Sequence, residues 1–229
     1  MSPTDRAAPS ASALRLVLAA EELFAQRGID GVSLRQIAAA AGSANNSAVH
    51  YYFGSKHGLI TAIFQHRLPQ IISERRLLLA RCDRGDLRAR LEAQFLPILW
   101  LAEAADNHYV SFVEQLQRHE LGQTGDLREL PADGQHSNDE FRHDLHELLA
   151  DLPEPLRVLR IEQALGTCVH AASDRERAVA AGSVPVPFDL FASSLFDGVA
   201  GFLTAPMSDS TAQRLDQSGE AAEPRRRLL

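Results

Sequence analysis

The sequence predicts an all-α chain: a small three-helix N-terminal module followed by a larger helical body. Three observations carry that prediction. Ala, Leu, Arg, Glu and Gln are abundant, and these are strong helix formers. Alternating β-branched runs of the kind a half-buried strand needs are nearly absent. Apolar residues instead recur at helical spacing between breaks built from Gly, Ser and Pro. The chain has 229 residues, enough for a small domain plus a larger one at roughly 100–200 residues per domain.

Residues 1–11 contain Pro3 and Pro9 among small polar residues and read as a disordered lead. Ser12 then precedes the first helical stretch, in which Leu16, Val17, Ala20, Leu23 and Phe24 share a face and Gly28 is the stop. Ser33 reads as the N-cap of a short second helix carrying Leu34, Ile37, Ala38 and Ala41, which Gly42 ends. A third short helix carries Val49, Tyr52 and Phe53. Gly54 and Ser55 break it, and Ser55 caps a long fourth helix from Lys56 to about Leu79.

Longer helices are expected at about 87–106, 109–119, 137–150, 154–181 and 187–204. A Gly- and Asp-rich loop separates them over 122–135, and a second break spans Gly182 to Pro187. The tail over 206–229 is polar, ends in Arg225, Arg226 and Arg227, and reads as disordered. The predicted organisation is therefore a lead over 1–11, a helix-turn-helix module over 12–55, a body over 56–205 and a tail over 206–229.

Charge divides along the chain. The formal net charge is −7. Residues 1–80 hold eight basic and five acidic side chains, a balance of +3. The rest hold fifteen and twenty-five, a balance of −10. A mildly basic module on an acidic body fits one DNA-facing part attached to a part that repels DNA. Only one lysine occurs, Lys56, against twenty-two arginines.

Several classes are excluded. Two cysteines, Cys82 and Cys168, support neither a disulfide scaffold nor a Cys-based zinc site. The longest apolar stretch, Phe95 to Leu101, falls far short of the roughly 20 residues a membrane span needs. No secretory signal is expected, and the cytoplasm is the expected compartment. A Walker A loop, a Gly-x-Ser-x-Gly elbow and a metalloprotease helix are all missing, so no catalytic or metal site and no cofactor are predicted.

The function-bearing pattern is the three short helices. Such a module braces its second helix across a phosphate backbone and offers the third to the major groove, which admits one α-helix. The expected exposed face of the third helix carries Asn46, Ser47, Ala48, His50 and Tyr51. Asn can pair with adenine, and an Ala methyl can meet a thymine methyl.

The chain resembles the TetR-family transcriptional regulators over residues 12–64. The resemblance lies in Leu23-Phe24-Ala25-Gln26-Arg27-Gly28, Gly31-Val32-Ser33, Ile37-Ala38, Ala41-Gly42, and Val49-His50-Tyr51-Tyr52-Phe53-Gly54-Ser55-Lys56 with Leu59. One departure is an extra residue between Gly42 and Phe53, where the chain has eleven residues (Ser43 through Phe53) and the family pattern ten. Contacts are therefore registered backward from Phe53. The resemblance then implies base reading by Asn46, Ser47 and Ala48, and phosphate or base contacts by His50, Tyr51 and Tyr52. It implies phosphate contacts by Lys56 and Arg35. Asn45 has two readings, a contact or a cap of the recognition helix, and Tyr52 has two, a contact or core.

The body carries no motif. The resemblance implies that it binds a small molecule and dimerises through its last helices. Phe188, Phe191, Leu195, Val199 and Phe202 form an apolar seam, and Ile161, Leu165 and Cys168 a weaker one. Both seams are expected at the dimer interface, with internal core as the alternative for each. Ligand-lining candidates are Phe95, Trp100, Tyr109, Phe112, Gln115, His119, Arg160 and Gln163, which mix aromatic surface with polar groups as pockets do. The expected protein is a homodimeric regulator of an approximately palindromic double-stranded DNA site, released by a small-molecule effector. The alternative is a helical small-molecule-binding protein or enzyme whose DNA module is vestigial.

Overall fold

The computed structural model describes residues 10–43, 47–104, 106–122, 131–183 and 186–219, with backbone alone at 120–122 and 218–219. Ten helices and no strands occur among them. The N-terminal group is α1 (Ala11–Arg27), α2 (Leu34–Ala40) and α3 (Ala48–Phe53), followed by the long α4 (Lys56–Leu79). The body adds α5 (Leu87–Ala102), α6 (Tyr109–Gly122), α7 (Ala132–Leu148), α8 (Glu154–Ala180), α9 (Phe188–Thr204) and α10 (Asp209–Gly219).

Local chemistry sets the N-terminal helix ends. Ser10, two residues before Ser12, caps α1 by accepting from the Ala13 N–H at 3.2 Å. Ser33 and Gln36 form a reciprocal capping box on α2, which satisfies two orphan donors at once. Ser55 accepts from the Gly58 N–H at 3.0 Å and starts α4. Gly42 and Gly54 have φ of 66° and 72°, a left-handed region that glycine enters without a Cβ penalty. At Gly58 a Cβ would meet the Phe53 carbonyl oxygen at 2.1 Å, so only glycine lets α4 start this close behind α3.

Two cores follow. The first joins α1–α4 through Leu16, Phe24, Ile37, Val49, Leu59 and Ile63, and extends to Tyr109, Phe112 and Leu116 of α6. Phe112 is fully buried, with ring centroids 6.2 Å from Phe24 and 5.6 Å from Phe64. The second core joins α5, α7, α8 and α9 through Leu91, Leu99, Leu145, Ile161, Cys168 and Phe196. Packing thus crosses the boundary at 55/56, because α4 belongs to the first core yet packs on α5 and α7, and α6 lies against α1.

Polar clamps hold the body. Glu176 of α8 accepts from the Val110 and Ser111 N–H groups at 3.0 and 2.9 Å, so a carboxylate caps the positive end of α6. Arg175 pairs with Glu103 at 2.6 Å and stands over the Phe191 ring. Arg160 donates to the Leu203 and Ala205 carbonyls at the end of α9.

Some elements differ from expectation. Asp209–Gly219 is helical where a disordered tail is predicted. Ser208 accepts from the Thr211 N–H at 3.3 Å, an N-cap that the polar composition conceals. The expected 122–135 loop gives way to α7 from Ala132, whose start at Pro131 suits a fixed φ. The lead over 1–9, the 123–130 segment and Arg225–Arg227 lie outside the described residues. No single described helix is long and apolar enough to cross a membrane.

Candidate nucleic-acid interface and interior cavity

The first candidate site is built on α2 and α3. Val49 is fully buried and Phe53 packs against the first core, which fixes the roll of this six-residue helix. That roll leaves Ser47, His50 and Tyr51 facing outward; Tyr51 is 82% exposed and Tyr52 41%. The two tyrosine rings meet edge to face at 5.0 Å, which orders an otherwise open aromatic pair. Arg35 is exposed on α2.

Three assignments change or acquire detail. Ala48 is largely buried in the first core, and only the 9% of its surface that lines the groove beside Tyr51 and Tyr52 is left for a thymine contact. On so short a helix, the residue before Val49 is needed to seal the core. Lys56 does not project freely: its Nζ donates to the Ile29 carbonyl at 2.8 Å, stapling the start of α4 to the α1–α2 connection. One of its three donors is thereby used, and the charge stays at the surface. Tyr52 is half-exposed and touches Phe53, so it partly serves both of its predicted roles. Asn45 and Asn46 lie outside the described residues.

A groove of about 350 Å³ runs beside the tyrosines, between Ser12 and Arg15 of α1, Ser43, and Tyr51 and Tyr52. Arg15 is exposed and was missed from sequence, because α1 reads as a core helix and its outer face attracts no attention. A second sequence signal is plain once the surface is known. Residues 31–73 contain no Asp or Glu, while Arg35, Lys56 and Arg67 lie among them.

The second candidate site is a partly open cavity of about 340 Å³ in the body, lined by α4, α5, α6, α7 and α8. Its walls are apolar and aromatic, with Phe64, Phe95, Val113, Phe141 and Val169 among them. Of the eight predicted lining residues, Phe95 and Tyr109 are present. The other six are placed elsewhere. Trp100 is 42% exposed on a shallow notch beside Gln70 and Pro97. Phe112 is locked in the first core. Gln115 packs against the Gly28 turn. His119 lies 3.0 Å from Asp30. Arg160 is spent on α9 carbonyls, and Gln163 is exposed on α8. Each misplacement has one cause: helical spacing tells which residues share a face, not which neighbour that face meets.

The cavity's polar end was not foreseen. Arg75 of α4 is buried, with Nε donating to the Gln94 carbonyl at 3.0 Å and Nη1 to Ser137 Oγ at 3.4 Å. Burial lowers its pKa to about 10, which leaves it charged near neutrality. Gln94 Nε2 donates to Asn138 Oδ1 at 3.2 Å beside it. Tyr109 is buried there too, and burial pushes its phenol upward, so it is neutral. The sequence offered no distinction between Arg75 and its neighbour Arg76.

The cavity connects to the first site. Phe64 and Leu68 of α4 line it, and Arg67 between them makes a bidentate pair with Glu21 of α1 at 2.7 and 2.8 Å. Pro69 interrupts the α4 hydrogen-bond ladder next to this pair.

The predicted interface residues also divide. Ile161, Cys168 and Val199 are buried within their own chain and are not free for a partner. Leu165, Phe188, Phe191 and Leu195 are half-buried, and Phe202 is 41% exposed. The inward stripe of α9 is Ala192, Phe196, Val199 and Leu203, rotated from the predicted seam. The outward faces of α8 and α9 show Leu159, Gln163, Leu190, Ser194 and Gly198.

Residues 16–63 match the family model described as bacterial regulatory proteins, tetR family. No curated protein matches the chain. Solved structures share its fold. A TetR-like transcriptional regulator from Rhodococcus sp. RHA1 is 19% identical, with a TM-score of 0.54 over 88% of this chain and all of that one. The fatty acid degradation regulator FadR from Bacillus halodurans is 16% identical, with a TM-score of 0.55 over 86% and 99%. A TetR family regulator from Marinobacter aquaeolei VT8 is 18% identical, with a TM-score of 0.51 over 81% and 94%.

Proposed function

We propose that this chain, whose N-terminal module belongs to the tetR family of bacterial regulatory proteins, is a sequence-specific DNA-binding transcriptional regulator. We read it as a homodimeric repressor released from an approximately palindromic operator by a small-molecule effector. The observation that carries the reading is the outward end of α3. Tyr51 is 82% exposed beside His50, on a helix whose other face is sealed into the core. A large aromatic held open in this way has no packing reason to be there. A surface free of acids over residues 31–73 then suits a polyanion.

On this reading Ser47, His50, Tyr51 and Tyr52 meet the groove, and Arg35, Arg15 and Lys56 meet phosphates. Asn45 and Asn46 remain with them as the proposed start of base reading; Ala48 does not. Two copies would join through the outward faces of α8 and α9, where Leu159, Leu190 and Phe202 are exposed. The cavity is the proposed effector site. Its filling would shift α4 and, through Arg67 and Glu21, the seat of α1. Couplings of this kind are worth about 1–3 kcal/mol.

The test is binding of the purified chain to DNA flanking its coding region, by anisotropy with salt titration and by footprinting. A protected palindrome and a steep fall of affinity with salt are expected. Tyr51→Ala and His50→Ala should each weaken operator binding by about tenfold or more while leaving thermal stability unchanged. Equal, featureless affinity for operator-region and random DNA, unaffected by either substitution, would sink the reading.

A further inference from the structure

The effector cavity has an unusual charge arrangement. Four arginines of the body are buried among the described residues: Arg75, Arg90, Arg160 and Arg175. Arg90 pairs with Asp144 at 3.0 Å, and Arg175 pairs with Glu103. Arg160 neutralises the carbonyl end of α9, where a cation is favoured. Arg75 has none of these. Among the described residues no carboxylate pairs with it; its partners are the Gln94 carbonyl and Ser137 Oγ, both neutral. A buried cation without a counter-charge is destabilising.

The surroundings sharpen this. Arg142, also on the cavity wall, is compensated by Glu162. The acid on the lining, Asp139, is solvent-exposed and sits at the rim. The remaining polar lining is neutral: Gln94, Gln117, Gln135, Asn138 and the Tyr109 hydroxyl. The rest of the lining is apolar, from Phe64, Phe95, Phe141 and Val169. A single guanidinium at one end of an apolar cavity presents one positive charge and a planar donor fork. A monoanion with a planar acceptor pair and an apolar body complements both. A dianionic phosphate ester would bring more charge than this end can neutralise.

We propose that the cavity takes an apolar monocarboxylate, with Arg75 as the residue that binds the carboxylate group. This rests on the cavity being the effector site. Burying the carboxylate supplies the missing counter-charge, and the apolar body displaces water from the aromatic walls. The position of Arg75 on α4, two turns beyond Arg67, places the bound charge on the helix that carries the Glu21 contact.

The experiment is isothermal titration of the full chain with two matched pairs of probes. One pair is decanoate and 1-decanol; the other is 4-butylbenzoate and 4-butylbenzyl alcohol. Each acid should bind about tenfold to a hundredfold more tightly than its alcohol, the span of a charge-assisted hydrogen bond. In Arg75→Gln the preference should collapse while the alcohols bind as before. Arg75→Lys keeps the charge without the fork and should retain part of the preference; it also stands in if Arg75→Gln does not fold. Val169→Trp fills the cavity and should abolish binding of all four probes.

Equal affinity for acid and alcohol in the unmodified chain overturns the role of Arg75 and leaves the cavity as a binding site. So does an acid preference that survives Arg75→Gln. If none of the probes binds, or binding ignores Val169→Trp, the effector-site reading falls as well.

Discussion

The Glu21–Arg67 pair is the most exacting test of how the N-terminal module is held. Both partners lie between α1 and α4: the Glu21 side chain is 2% exposed and that of Arg67 17%. Two hydrogen bonds join them, from Nε at 2.8 Å and Nη2 at 2.7 Å. Replacing Glu21 with Ala removes the acceptor and leaves the guanidinium largely buried without a counter-charge. Breaking a buried pair from one side costs about 3–5 kcal/mol. Glu21→Gln keeps the shape and one acceptor oxygen, and loses the charge-assisted part, about 1.5–3 kcal/mol. The double substitution Glu21→Leu with Arg67→Met removes both charges and keeps the volume. It should recover most of the loss, because well-packed apolar replacements of buried pairs are often neutral or stabilising. Urea denaturation followed by helical circular dichroism reads all three. The reasoning is refuted if Glu21→Ala costs under about 1 kcal/mol, the worth of an exposed pair. It is equally refuted if the double variant is no more stable than Glu21→Ala.

Three further outcomes follow from the geometry. Phe112→Ala empties the space between Phe24 and Phe64 and should cost about 3–5 kcal/mol in the same assay; a cost under about 1 kcal/mol would mean that α6 is not packed into the first core there. Gly58→Ala drives a methyl onto the Phe53 carbonyl and should destabilise by about 1–3 kcal/mol despite alanine's better helix propensity; an unchanged midpoint would contradict the close approach of α3 and α4. Burial of the Glu114 carboxyl raises its pKa, but hydrogen bonds from His170, Ser173 and Arg177 outweigh that and hold it at about 2. A depressed folded pKa contributes stability that is present above the unfolded value of 4.5 and is lost as pH falls through about 2. Its contribution, at most about 3 kcal/mol, should disappear over that window in acid titration, and Glu114→Gln should flatten the loss.

The N-terminal module was legible because its determinants are local. Ser33 caps α2 through Gln36 three residues on, Ser55 caps α4 through Gly58, and Gly42 and Gly54 turn the chain where no other residue does so without strain. Short-range hydrogen bonds and backbone preferences are written in neighbouring residues, so spacing alone placed α2, α3 and α4. The outward side of α3 followed from the same periodicity, except at Ala48, where sealing a six-residue helix against the core took precedence.

The body was legible only as helices. Periodicity grouped Phe188, Phe191, Leu195, Val199 and Phe202, yet α9 buries Ala192, Phe196, Val199 and Leu203. Its apolar residues spread over more than one face, so periodicity gives two faces a claim, and contact with α5 and α8 chose between them. Phe112 and Phe95 are both buried aromatic residues, and only the approach of α1 to α6 locked one in the first core while the other, in the second core, also faces the cavity. Arg75 and Arg76 are indistinguishable as neighbours in sequence. About 100° of helix rotation separates them, and the packing of α4 against α5 turned one of them inward. The sequence by itself determined most of the helices, the caps of α2 and α4 and the outward side of α3, because these depend on residues a few positions apart. Which faces meet, where the cavity lies and which charge it encloses were decided by tertiary structure, because those depend on residues brought together from distant parts of the chain.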